Sequence, residues 1–281
     1  MEKLTRISLP FPVKSTKDLL VILFFCVILQ AILQTYLPKI FPPYYQTRIT
    51  QYFQFISLIA LCIFVLNLRI GTLVQQLGEL PNFRDVVQSI FIGLALFAFT
   101  LGENALEVII FSQFNLSSAY NLWNFHPDRH SVLSFFTPAI QFNVLLLVVI
   151  GPIAEEFFFR GMLFTSIAHK RSYLLSSIYV SLVFLLLHLM SQYFISTFIF
   201  SMTLCFFYLI TRSVYLCAIV HGTYNFIAFI HQHYFDIQYT RPISHISKID
   251  YWLPQLAMLV ASSLVLGILY VKWYRKFKLL G

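Results

Sequence analysis

Charge is scarce in this chain, and acidic charge scarcer than basic. Only 11% of the 281 residues are charged, 11 of them acidic and 19 basic. Soluble domains carry about a quarter of their residues as charged side chains, so a soluble globular class is excluded. The four cysteines, Cys26, Cys62, Cys205 and Cys217, all fall in apolar stretches and show neither disulfide nor metal-ligand spacing. They read as small apolar fillers, which leaves the redox compartment open. No His-Glu-x-x-His run, internal repeat, low-complexity tract or soluble domain is present, so a zinc-protease helix and a repeat architecture have no sequence support.

What the chain has instead is apolar length. Hydrophobic residues make up 59%, with 31 Phe and 16 Tyr, and the mean hydropathy is +0.78. That composition describes an all-α, polytopic membrane helical bundle, with about eight spans of roughly 20 residues each. The expected spans are Leu19–Leu37, Tyr52–Leu68, Val86–Ile110, Gln141–Ala168, Ser172–Met190, Tyr193–Ile210, Val214–Ile230 and Trp252–Tyr270. The first is preceded by basic residues, as a signal peptide is. Its apolar run is longer than a signal core and no small-x-small cleavage site follows, so it reads as an anchor helix.

Positive charge orients the bundle. One set of loops and tails holds Lys3, Arg6, Lys14, Lys17, Arg69, Arg84, Lys170, Arg171, Arg212, Lys272, Arg275, Lys276 and Lys278. The other holds only Lys39, Arg48, Arg129, Arg241 and Lys248. By the positive-inside rule both termini are expected in the cytosol, in a bacterial inner (cytoplasmic) membrane. The net charge of +8 then faces anionic lipid and needs no nucleic-acid partner. Three regions are expected: anchoring helices over 1–130, a helical core with most of the unusual polar groups over 131–235, and a last transmembrane helix with a basic tail over 236–281.

Within the fourth apolar run stands Gly151-Pro152-Ile153-Ala154-Glu155-Glu156-Phe157-Phe158-Phe159-Arg160-Gly161. Ionisable groups at membrane depth are costly unless they pair or line a wet cavity, and they are functional candidates by default. Glu156 and Arg160, four apart on a helix, share a face and can pair. Glu155 is turned about 100° away, which leaves it free for acid–base chemistry. Pro152 and Gly151 can kink the helix and free a carbonyl near the site. The next run carries Phe184 and His188, and the seventh carries His221 and Asn225, each pair again four apart. Of eight histidines only His188 and His221 fall inside spans; His126, His130, His169, His231, His233 and His245 lie in loops or at helix ends. Glu155, His188, His221 and Asn225 supply a base and polarising donors suited to amide hydrolysis.

Glu-Glu-x-x-x-Arg, then Phe-x-x-x-His, then His-x-x-x-Asn, in that order on separate membrane helices, resembles the CAAX-protease and bacteriocin-processing (CPBP/ABI) family, which includes the type II CAAX prenyl endopeptidases. The resemblance covers roughly Gln141–Ile230 and no motif position departs from it. It implies an intramembrane glutamic protease in which Glu155 activates water and His188 helps bind it. Glu156 and Arg160 become the supporting pair, His221 and Asn225 the oxyanion side, and Phe184 packing for the site. No cofactor is expected, and a divalent metal, zinc held by Glu155, His188 and His221, stays open. The expected partners are a peptide or membrane-protein substrate and membrane lipid.

Plainer readings compete at each position. Glu155, Glu156 and Arg160 can be a structural ion-pair network, His188 and His221 interhelical hydrogen-bonding residues, and Asn225 polar glue. A non-catalytic immunity or scaffold protein of the same fold, or a proton- or ion-coupled transporter, is the alternative at the level of function. Straight spans also put His188 near one membrane face, Glu155 near the middle and His221 nearer the other face. Glu103 and Glu107, one turn apart, read as the solvated end of the third helix, the alternative being a carboxylate patch contacting substrate. Asn115-Leu116-Ser117 fits a glycosylation sequon.

Overall fold

Polar residues placed before apolar runs start the helices. Asn82 Oδ1 accepts from Asp85 N at 3.0 Å, Ser172 Oγ from Leu175 N at 3.4 Å and Ser213 Oγ from Leu216 N at 3.3 Å; each satisfies an amide that the first helical turn leaves unpaired. The computed structural model describes residues 14–36, 53, 55–64, 77–78, 80–115, 138–188, 194–231 and 246–280. These residues form eight helices: α1 (Thr16–Tyr36), α2 (Phe55–Phe64), α3 (Phe83–Phe114), α4 (Pro138–Ala168), α5 (Tyr173–Leu187), α6 (Phe194–Thr211), α7 (Val214–Ile230) and α8 (Leu253–Leu280). No strand occurs among them. The protein is an all-α membrane bundle.

By length and composition five helices can cross a membrane: α1, α3, α4, α6 and the stretch Ile249–Arg275 that contains most of α8. Within the described residues Phe55–Phe64, Tyr173–Leu187 and Val214–Ile230 are shorter apolar helices, so the eight expected spans are not of equal length. His126, His130, His233, His245 and the last two residues of the sequon lie outside the described residues.

The centre of the bundle is α4. All residues from Phe157 to Phe164 are buried, and a helix apolar on every side belongs in a core. Rings from its neighbours close around it, with Phe184 of α5, Phe200 and Phe207 of α6 and Leu216 of α7 in the same buried cluster. Large side chains such as Phe24, Phe25, Leu186 and Leu264 are exposed on the periphery, as lipid-facing positions require. The four cysteines are free and buried.

Two glycines seat α3 in the bundle. A Cβ on Gly93 would stand 2.8 Å from Val220 O of α7, and one on Gly102 would stand 2.6 Å from Gln255 O of α8. Small residues at these points let the backbones touch. At the other end of α7, Val214 N donates to Leu77 O at 2.9 Å. Gly78 (φ 101°) packs against Arg212 and Ser213, and Arg212 itself takes a left-handed φ of 54° to turn the chain from α6 into α7.

The solvated helix end expected at Glu103 is not found. Glu103 is only 4% exposed. The reason is that α3 continues to Phe114, about three turns further, while Gly102 admits α8 alongside.

Candidate active site

Helix α4 is not a regular α-helix. It widens to π register over Leu146–Ile150 and again over Phe157–Phe164, a feature frequent at functional sites. In the first widened turn Gly151 N donates to Leu146 O, five residues back. The next amide in that register belongs to residue 152, a proline, which has no N–H. Leu147 O is thereby left without a donor from its own helix, and Asn225 of α7 supplies one, Nδ2 donating at 2.9 Å. The next carbonyl, Val148 O, lies against Gly222, where a Cβ would collide with it.

This contact yields a prediction. In Gly222→Ala the new methyl meets main chain, not a movable side chain, so α7 must shift and carry His221 and Asn225 with it. Overpacking of this kind costs about 1–3 kcal/mol, and displacement of a site by about 1 Å lowers turnover on the order of 100-fold. A thermal melt and a rate on the same purified variant check both effects.

Glu156, fully buried, is the hub of the polar cluster. Arg160 Nη1 donates to its Oε1 at 3.0 Å and lies 2.9 Å from Oε2. Arg160 also donates through Nη2 to Ser201 O at 3.2 Å and to Ser201 Oγ at 3.0 Å on α6. His221 Nδ1 lies 2.8 Å from Glu156 Oε1. A carboxylate held by a guanidinium is an acceptor, so His221 carries its proton on Nδ1 and offers Nε2 to another partner.

Phe184 joins the two histidines across the bundle. His188 stacks on it with ring centroids 4.2 Å apart, His221 meets it edge-on at 6.3 Å, and the Arg160 guanidinium lies 5.1 Å from its centroid. His188 ends α5, and its Nδ1 donates to Phe184 O at 2.8 Å, which again leaves Nε2 as the other ring nitrogen. The depths that straight spans kept apart are reconciled this way: one aromatic ring bridges α5 and α7.

The structure therefore gathers Glu156, Arg160, His221, Phe184 and His188 into one connected cluster. Glu155 stands beside it on α4, partly exposed, with Oε2 buried and without a hydrogen-bond partner. Asn225 is tied to the Leu147 carbonyl, one turn beyond His221. Three neighbours had no distinctive sequence signal. Ser201 is one of several hydroxyls in α6, and nothing in its spacing marks it as the one that holds Arg160. Phe200 packs on His221 at 4.9 Å and on Tyr224 at 4.9 Å, and Tyr224 Oη lies 3.1 Å from Thr100 Oγ1 of α3. Among the described residues no three His, Cys, Asp or Glu side chains are placed to hold a metal ion. Glu155, His188 and His221 are not brought together as a ligand set.

This cluster lies wholly between α4 and α7, and that stretch has relatives. Residues 137–227 match the family of type II CAAX prenyl endopeptidase Rce1-like proteins. The Rce1-like region contains both π segments, all three motifs and Ser201, and it agrees with the family that the motifs resemble. It supports a membrane protease of the CAAX type. No curated protein matches the chain.

Proposed function

We propose that the protein is an intramembrane glutamic endopeptidase that cuts a peptide or protein substrate with an activated water. The observation that carries this reading is the contrast between adjacent carboxylates. Glu156 is paired with Arg160 at 2.9 Å and lies 2.8 Å from His221, whereas among the described residues no ion pair reaches Glu155, whose Oε2 is buried without a hydrogen-bond partner. A carboxylate without a cation beside it is suited to take a proton.

In the proposed reaction Glu155 removes a proton from water while the water oxygen bonds to the substrate carbonyl carbon. His188 Nε2 accepts a hydrogen bond from that water, and the second N–H of Asn225, joined by Nε2–H of His221 when that ring carries a proton on both nitrogens, faces the developing oxyanion. The C–N bond then breaks, Glu155 passes its proton to the leaving nitrogen, and a carboxylic acid and an amine result. Glu156, Arg160 and Ser201 keep the His221 ring in position. The family description names prenyl substrates, which makes a prenylated C-terminus one substrate to try. The basic loops support an inner-membrane setting with both termini in the cytosol.

Comparison of membrane proteomes with active and Glu155→Gln protein tests this directly: new termini should appear only with the active form and persist after rigorous chelation. Ion flux through proteoliposomes without any cleavage would instead favour a transporter. Asn225 gives a finer check. In Asn225→Ala the cleavage step should fall by about 10²–10³-fold with substrate affinity nearly unchanged. The melting temperature should also fall, because the part-buried Leu147 carbonyl loses its donor, at a cost of up to about 1–3 kcal/mol. Normal single-turnover rates in the folded variant would make Asn225 a purely interhelical residue.

A further inference from the structure

Glu103 has no part in the cluster described above. It lies on α3 and is 4% exposed, and its carboxyl makes no hydrogen bond of good geometry, although the Ser196 hydroxyl and amide stand close enough to interact with it. Among the described residues no ion pair reaches Glu103 or Glu107, one turn further on. Its polar neighbours are Glu107 itself and Ser196 in the first turn of α6, an acid and a hydroxyl. On α8, Gln255 Oε1 is another buried acceptor without a partner, and its main chain packs on Gly102, the residue before Glu103. Among the described residues, then, two carboxyls meet here without a cation. Burying a carboxylate in that state is costly, most of all in a membrane.

The group complementary to two such carboxyls is positively charged and rich in donors. A lysine ammonium has three N–H donors and no acceptor, and an arginine guanidinium five. The alkyl stems of both tolerate apolar surroundings. A divalent cation fits less well, because it takes about six oxygen ligands or more and among the described residues no third acidic, His or Cys side chain is placed here.

The position relates to the candidate active site through short contacts. Thr100, three residues before Glu103 on α3, touches Tyr224 at 3.1 Å, and Phe200 packs on both Tyr224 and His221. Glu103 is therefore offset from His221 by roughly two helical turns along the bundle, a rise covered by about three residues of extended peptide.

We propose that Glu103 and Glu107 form a subsite for a lysine or arginine side chain of the substrate, about three residues from the bond that is cut. This subsite presupposes the proteolytic reading only for its purpose, not for its binding.

The test uses the full-length protein in liposomes and labelled apolar peptides of membrane-spanning length, each with one lysine, arginine or norleucine at a scanned position. Binding is read by fluorescence anisotropy and cleavage by mass spectrometry on the same samples. Wild-type protein should prefer the basic peptide at one or two positions by about tenfold or more, and the ratio should drop to about one in Glu103→Gln. Charge preference in binding without any cleavage would keep the subsite and remove the protease reading. Cleavage or binding with no charge preference in wild type overturns the subsite. So does a preference that survives in both Glu103→Gln and Glu107→Gln, each shown folded by its melting temperature. Should Glu103→Gln fail to fold, the wild-type ratio and Glu107→Gln decide.

Discussion

Glu155→Gln is expected to lower peptide hydrolysis by about 10²–10⁴-fold, the usual contribution of a general base, while membrane insertion and melting temperature stay close to wild type. Glutamine keeps the shape of the side chain and removes only its ability to accept a proton. Stability should be spared because the buried Glu155 oxygen makes no hydrogen bond that the amide would lose. The measurement is a single-turnover rate on purified protein in liposomes. Undiminished turnover in a folded Glu155→Gln variant would remove this residue from the mechanism and, with it, the reading of Glu156 as its neutralised neighbour.

Arg160→Ala should do the opposite and damage the fold first. Arg160 is fully buried and holds Glu156 and Ser201 together, joining α4 to α6. Its loss leaves Glu156 buried without its guanidinium, a change that costs on the order of 3–5 kcal/mol. Activity should fall as well, since His221 is oriented by that same carboxylate. Adding Glu156→Gln should return part of the melting temperature by removing the stranded charge, but not activity, because an amide oxygen is a weaker anchor for the His221 ring than a carboxylate. Thermal melts of the two single variants and the double variant measure the coupling. Strictly additive losses would show that the two residues do not act together.

The i,i+4 spacing of Glu156 and Arg160 was sufficient to read their pairing from the chain, because helix geometry alone places them on one face. Glu103 shows the opposite case. Its spacing to Glu107 says only that two carboxylates share a face, and its burial depends on Gly102 admitting α8, which no local pattern encodes. The link from His221 to Glu156 is of the same kind: 65 residues separate them, and only the packing of α7 on α4 brings them within 2.8 Å.

By itself, then, the sequence determined the solvent of this protein, its helical class and the identity of its unusual polar residues. Apolar length and scarce charge leave a chain in hydrocarbon no other way to satisfy its backbone. Tertiary structure alone decided which of those polar residues meet. Proline at 152 left the Leu147 carbonyl to Asn225, glycine at 222 let α7 close on α4, and Phe184 bridged two histidines that straight helices would have kept at different depths. Each of these depends on the rotation and close approach of whole helices, which long-range packing sets and the periodicity of a single segment does not contain.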